Sequence, residues 1–224
     1  MDLHLRFKFN QVIQDICSMD WKSLDEPDIM CIASVYHFFS IQFRENLEIA
    51  CGLHPDDRQL AALYREECDT ASLSPWVGIA SPGEKMNHDE FVKRLLLLER
   101  IPGSDPLKVT GNAYLDKVRA LSPEIRAVSI GSYENKGLSN VFKAMLCAPQ
   151  WSGLGPAAFK HFLEMHIQFD SHLDEGHGAL SRHLNPDDRI LPLWIGFREL
   201  LVTAVPKLLR STSPVLGYRD RVNS

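Results

Sequence analysis

Apolar residues recur along this chain at three- and four-residue spacing from end to end, and no stretch alternates apolar and polar residues over the length of a strand. The pattern predicts an all-α fold of seven or eight helices. The first covers about residues 5–18. The stretch "DEPDIMCIASVYHFFSIQFRENLEIACGL" comes next, with acidic residues ahead of a proline, a long apolar stripe, and a glycine after Cys51 as its stop. Such a stripe marks a central helix. A third helix is predicted in "HPDDRQLAALYREECD", where Asp56 and Asp57 stand at the start and Leu60, Leu63 and Tyr64 repeat at helical spacing.

The run "TASLSPWVGIASPGEKMN" is rich in Ser, Pro and Gly, yet Trp76, Val77 and Ile79 give it something to bury. It is expected to be an ordered loop that serves as a lid. "HDEFVKRLLLLERI" resumes helix and "PGSDPLKVTG" interrupts it. Helices over about 111–121, 123–147, 156–184 and 189–210 follow, separated by Pro, Gly or Asn. No repeat of fixed period and no low-complexity linker divides the chain, so residues 1–224 read as one helical domain.

Composition narrows the partners. With 45% hydrophobic residues over 224 positions, the chain can bury a sizeable core. A formal charge of -5 and a pI near 6.0, with no Lys/Arg cluster, argue against nucleic acid. The segment "MDLHLRFKFNQVIQD" lacks the apolar core of a secretory signal, and no run approaches roughly 18 apolar residues. The expectation is a cytoplasmic protein with no membrane partner. The cysteines at 17, 31, 51, 68 and 147 are odd in number and lack CxxC spacing, which suits reduced thiols.

Candidate chemistry concentrates in "FLEMHIQFDSHLDEGHGALSRHL". At about 100° per residue, Asp170 lies about 40° around a helix from His166, His177 about 20° and Asp174 about 80°. These four share a face, whereas His172 and His183 fall off it. One turn brings His166 and Asp170 together at a spacing that chelates one metal or bridges two, although a plain hydrogen bond between them is the alternative. The same face carries Phe162, Phe169 and Leu173, so the polar cluster is expected partly inside, where unpartnered imidazoles and carboxylates each cost several kcal/mol.

One helix cannot complete a coordination sphere. Glu134 shares the inner side of its helix with Ile130, Gly131, Leu138 and Val141 and reads as a buried carboxylate. Glu67 continues the Leu60, Leu63, Tyr64 period, with Glu66 beside it as its rival, and His88 opens the helix after the loop.

The ordered set Glu67, His88, Glu134, His166, Asp170 and His177, anchored by "EEC", "HDEF", "SIGSYE" and "HIQFD", resembles the haem-oxygenase-like di-iron oxidases. That family places a Glu and a His around its second core helix, a Glu on a middle helix and an HxxxDxxH run on a later one. The resemblance spans about 60–180 and implies two non-haem irons, dioxygen, an external electron donor, and a small amine, amino-acid or fatty-acid-like substrate, often in natural-product biosynthesis. It implies that all six residues bind metal, with Glu134 bridging or flanking the irons as the catalytic carboxylate. Oxygen and imidazole donors without thiolate suit Fe, and Mn as well.

Two departures stand out. The interval between Glu67 and His88 is about twice the family's, and Leu173 occupies the place of the family's third ligand. His177 would lie about 16 Å along a straight helix from His166, so either the helix unwinds near Gly176 and Gly178 or Asp174 replaces His177. The same architecture also resembles metal-free thiaminase-II-like and quinone-forming enzymes, which would use Glu134, Tyr133 and Cys68, and a non-catalytic helical binding module is the third reading. A homodimer is the default assembly.

Overall fold

In the computed structural model, residues 7–67, 73–101, 103–170, 181 and 183–209 are described, apart from the side chains at 135, 169 and 170. Nine α-helices occur among them: α1 Lys8–Cys17, α2 Glu26–Leu53, α3 Arg58–Glu67, α4 His88–Leu95, α5 Ser104–Arg119, α6 Pro123–Ser132, α7 Leu138–Met145, α8 Leu154–Asp170 and α9 Leu191–Ala204. The described residues contain no β-strand, only an isolated bridge between Trp76 and Ala80. The fold is all-α, as the spacing predicts.

The central helix is α2. Asp25 caps it by accepting from the Asp28 amide at 3.0 Å while Asp28 accepts from the Asp25 amide at 2.9 Å, a reciprocal capping box with Pro27 in the first turn. Its buried residues, from Ile29 to Ala50, lie on nearly every side, and it packs against α3, α4, α5, α6, α8 and α9. Gly52 does not stop it: a lone glycine near the end costs only about 1 kcal/mol, and the helix runs on to Leu53.

Where helices approach most closely, glycine makes room. A Cβ on Gly111 of α5 would stand 2.2 Å from the ring of Phe38 on α2. The α5 helix starts at Ser104, earlier than its predicted start near 111, because Asp105 and Pro106 fit a first turn rather than a break.

The rod predicted over 123–147 is interrupted. Ser122 caps α6, but residues Tyr133–Gly137 form a π-helical turn before α7 resumes. Lys136 adopts φ 70°, a left-handed conformation that costs a non-glycine residue about 1–2 kcal/mol. Packing holds the turn in place. A Cβ on Gly137 would meet the Ser132 carbonyl at 2.2 Å and the Trp194 indole at 2.9 Å, and Trp194 Nε1 donates to Ser132 Oγ at 3.1 Å.

The helix predicted over 156–184 is described to Asp170, and 171–180 lie outside the described residues. Ser181, His183 and Leu184 form a turn, with the Leu184 amide donating to Ser181 O at 2.9 Å, so the helix does not extend to 184. Gly131 admits this turn against α6, since a Cβ there would lie 2.5 Å from the Leu184 carbonyl.

Candidate functional site

Four of the six residues singled out as metal ligands line one cavity: Glu67, His88, Glu134 and His166. Each comes from a different element. Glu67 ends α3, His88 begins α4, Glu134 lies in the π-helical turn and His166 is in the fourth turn of α8. Tyr36, Phe43, Leu138 and Phe162 supply apolar walls, and the space inside, about 30 Å³, has room for about two waters. Counting its open mouth, the hollow reaches about 410 Å³.

Geometry fixes the proton on His166. Its Nδ1 lies 2.7 Å from the Phe162 carbonyl, which can only accept, so Nδ1 carries the hydrogen and Nε2 presents a lone pair. That Nε2 meets His88 Nδ1 at 3.0 Å, and the same His88 Nδ1 lies 2.8 Å from Glu67 Oε2. A hydrogen on His88 Nδ1 therefore faces two acceptors. The imidazoles of His88 and His166 stand edge to face, with centroids 4.6 Å apart, and Phe162 packs on His166 at 4.1 Å.

The π-helical turn brings Glu134 to this cavity, and the residue is 7% exposed. Single-turn π segments of this kind recur at functional sites because the extra residue re-aims the side chains around it. Of the rivals Glu66 and Glu67, it is Glu67 that lines the cavity.

Beside Glu134, Tyr133 turns into a separate buried network. Tyr114 donates to Gln42 Oε1 at 2.5 Å, Gln42 Nε2 donates to the Tyr133 hydroxyl at 3.1 Å, and Asn46 links Ser129 to Arg126. Burial pushes Tyr133 up to about 12 and Tyr114 well above the ordinary tyrosine value. A phenol so engaged stays protonated near neutral pH and is a donor rather than a base. Burial also pushes the Cys17, Cys31 and Cys51 thiols up, so none of these is an activated thiolate.

The loop predicted as a lid is strapped down elsewhere. Trp76 stacks on His161 with centroids 4.8 Å apart, His161 Nε2 meets Leu73 O at 3.1 Å, and Arg94 donates to Ile79 O at 2.9 Å. Of its described residues, only Asn87 reaches the cavity.

The Asp170 side chain, His177, Asp174 and Cys68 lie outside what is described. His183 pairs with Asp57 at the start of α3, 2.5 Å apart, away from the cavity. Among the described residues, no group of three or more His, Cys, Asp or Glu side chains is arranged to hold a metal ion. The donor types nevertheless fit one. Cis ligands about 2.1 Å from an octahedral ion stand about 3 Å apart, which is the spacing of Glu67, His88 and His166 here, and loss of the shared proton would free their lone pairs.

The chain matches no protein-family model, no curated protein and no solved structure. No helix among the described residues is long and apolar enough to cross a membrane.

Among the cavity residues that sequence reasoning missed are two charged ones, Arg44 and Asp89. Both are charged residues on amphipathic helices, where a solvated face is the ordinary reading. Their spacing carried no signal.

Proposed function

We propose that this chain is a non-haem di-iron oxidase or oxygenase of the haem-oxygenase-like kind, working in the cytoplasm on a small amine, amino acid or fatty-acid-like substrate. The observation that carries the reading is the meeting of Glu67, His88, Glu134 and His166, from four separate elements, on one largely apolar cavity. Iron is favoured, and manganese admitted, because the donors are carboxylate and imidazole without thiolate.

Glu67, His88, Glu134 and His166 would hold the metal, joined by Asp170 and by His177 or Asp174. Bound iron would supply the reductive activation of dioxygen, with electrons from an external donor. The chain's own residues do the rest. The Phe162 carbonyl keeps the His166 hydrogen on Nδ1 and so leaves the lone pair on Nε2. Tyr36, Phe43, Leu138 and Phe162 restrict water. Gly137 and Trp194 hold the π-helical turn that aims Glu134.

Anaerobic ferrous loading followed by admission of air tests the reading through dioxygen uptake. Uptake that the His166→Ala variant lacks is expected, and no uptake with any reductant would refute it.

A second reading has its own observation. The Glu67, His88 and His166 hydrogen bonds also suit a metal-free acid–base enzyme of the same fold, in which the Glu67 carboxylate orients the His88 imidazole. Such activity would survive exhaustive chelation.

A further inference from the structure

His88 joins Glu67 to His166, yet the helix it opens has little of its own to hold it there. α4 has eight residues, too few to be stable alone, and its cap residue Asn87 makes no side-chain hydrogen bond to it. Phe91, Val92 and Leu95 are fully buried, and they follow His88 by three, four and seven residues, so they share its face and turn the imidazole inward. Apolar contact is non-directional, however. It does not by itself set a ring nitrogen at the 2.8 Å and 3.0 Å that separate His88 Nδ1 from Glu67 and His166.

The directional tie lies one residue along. Asp89, in the first turn of α4, accepts at Oδ2 from Arg44 Nε of α2 at 3.2 Å. Among the described residues Arg44 is the one hydrogen-bonding partner of that carboxylate, because Oδ1 is enclosed by protein without one. Arg44 is itself held, with Nη1 donating to Glu48 one turn further along α2 at 2.9 Å. The two side chains are 31% and 15% exposed, so this is not the fully solvated pair that contributes almost nothing. His37, seven residues before Arg44 and on the same face of α2, also feels the Asp89 charge. That face of α2 is therefore the seat of the first turn of α4.

Resting on the oxidase reading above, we propose that Arg44 and Asp89 are positioning residues of this site: their ion pair pins the first turn of α4 to α2 and so holds His88 Nδ1 between Glu67 and His166. Neither group touches the metal in this role. Removing either partner leaves the other charge poorly compensated and frees the turn, and the His88 ring then leaves the place where a hydrogen on Nδ1 faces two acceptors.

The test reads His88 directly in metal-free, full-length protein carrying isotope-labelled histidine, at about pH 8, where an ordinary imidazole is neutral. Nitrogen chemical shifts separate the two neutral tautomers, and the His88→Gln spectrum assigns the signal. Wild type is expected to show His88 with its hydrogen on Nδ1. Arg44→Gln and Asp89→Ala should each add the form with the hydrogen on Nε2. Each should also lower the affinity for ferrous iron, measured against a calibrated chelator, by about tenfold to a hundredfold, the cost of losing an outer partner. The double variant should lose no more than the worse single one, because both changes remove the same contact. Arg119→Gln breaks the Arg119–Glu45 pair between α5 and α2, controls for general loosening, and should move neither readout. An unmoved His88 signal in Arg44→Gln, additive losses in the double variant, or an equal shift in Arg119→Gln would overturn the proposal. A shifted His88 signal with iron affinity within twofold of wild type would overturn it too, by placing His88 outside the metal set. Wild-type protein that takes no iron in any preparation sinks the oxidase, and the His88 signal then decides the brace alone.

Discussion

His88 Nδ1 and His166 Nε2 meet at 3.0 Å although one belongs to α4 and the other to α8. Apolar packing between α4 and α8 gives no reason to bring two imidazoles edge to face inside the fold. If they are ligands, replacing either by Ala should lower metal affinity beyond the tenfold to hundredfold cost of losing an outer partner, with unchanged helical dichroism. Competition against a calibrated chelator reads this. An affinity within twofold of wild type would remove both from the metal.

Gly111 and Gly137 separate fold from site. Gly111→Ala forces a methyl into Phe38 and should cost about 1–3 kcal/mol, a fall of several degrees in the thermal midpoint, with metal binding retained. Gly137→Ala disturbs the turn that aims Glu134 and should lose stability and metal affinity together. Scanning calorimetry with metal analysis checks the pair. Full metal affinity in Gly137→Ala would detach the π-helical turn from the site.

Alkaline stability reports the Tyr133 network. Burial raises Tyr133 from 10.0 to about 12, so the folded state keeps a proton that the unfolded state releases. The stabilisation is complete below pH 10 and is lost as pH rises through about 12, up to about 3 kcal/mol. Tyr133→Phe should lower stability at pH 8 by losing the Gln42 bond and show a shallower decline above pH 10. Identical alkaline slopes in the two proteins would contradict the assignment.

Much of this was legible in the sequence because helical periodicity reports burial directly. Leu60, Leu63 and Glu67 share a period, and all three are buried on α3. Glu134 was placed inward by the same logic, but the π-helical turn that carries it was not, because Lys136 at φ 70° and the contact of Gly137 with Trp194 are tertiary facts. The start of α5 was missed because Pro106 reads equally as a breaker or as a first-turn residue. Arg44 and Asp89 escaped because a charge on an amphipathic helix carries no sign of the cavity it borders.

The remaining ligands concern Asp170, Asp174 and His177. Asp170→Ala should remove one metal and leave the helical dichroism unchanged. If His177 completes the set, His177→Ala loses metal and Asp174→Ala does not, and the reverse outcome assigns Asp174. Unchanged metal in all three would confine the site to Glu67, His88, Glu134 and His166.

Iron stoichiometry of the wild-type chain, loaded anaerobically and freed of loosely bound ions, tests the central claim most directly. Two tightly bound irons per chain, lost in His166→Ala, are expected. Fewer than two in every preparation would contradict a di-iron site.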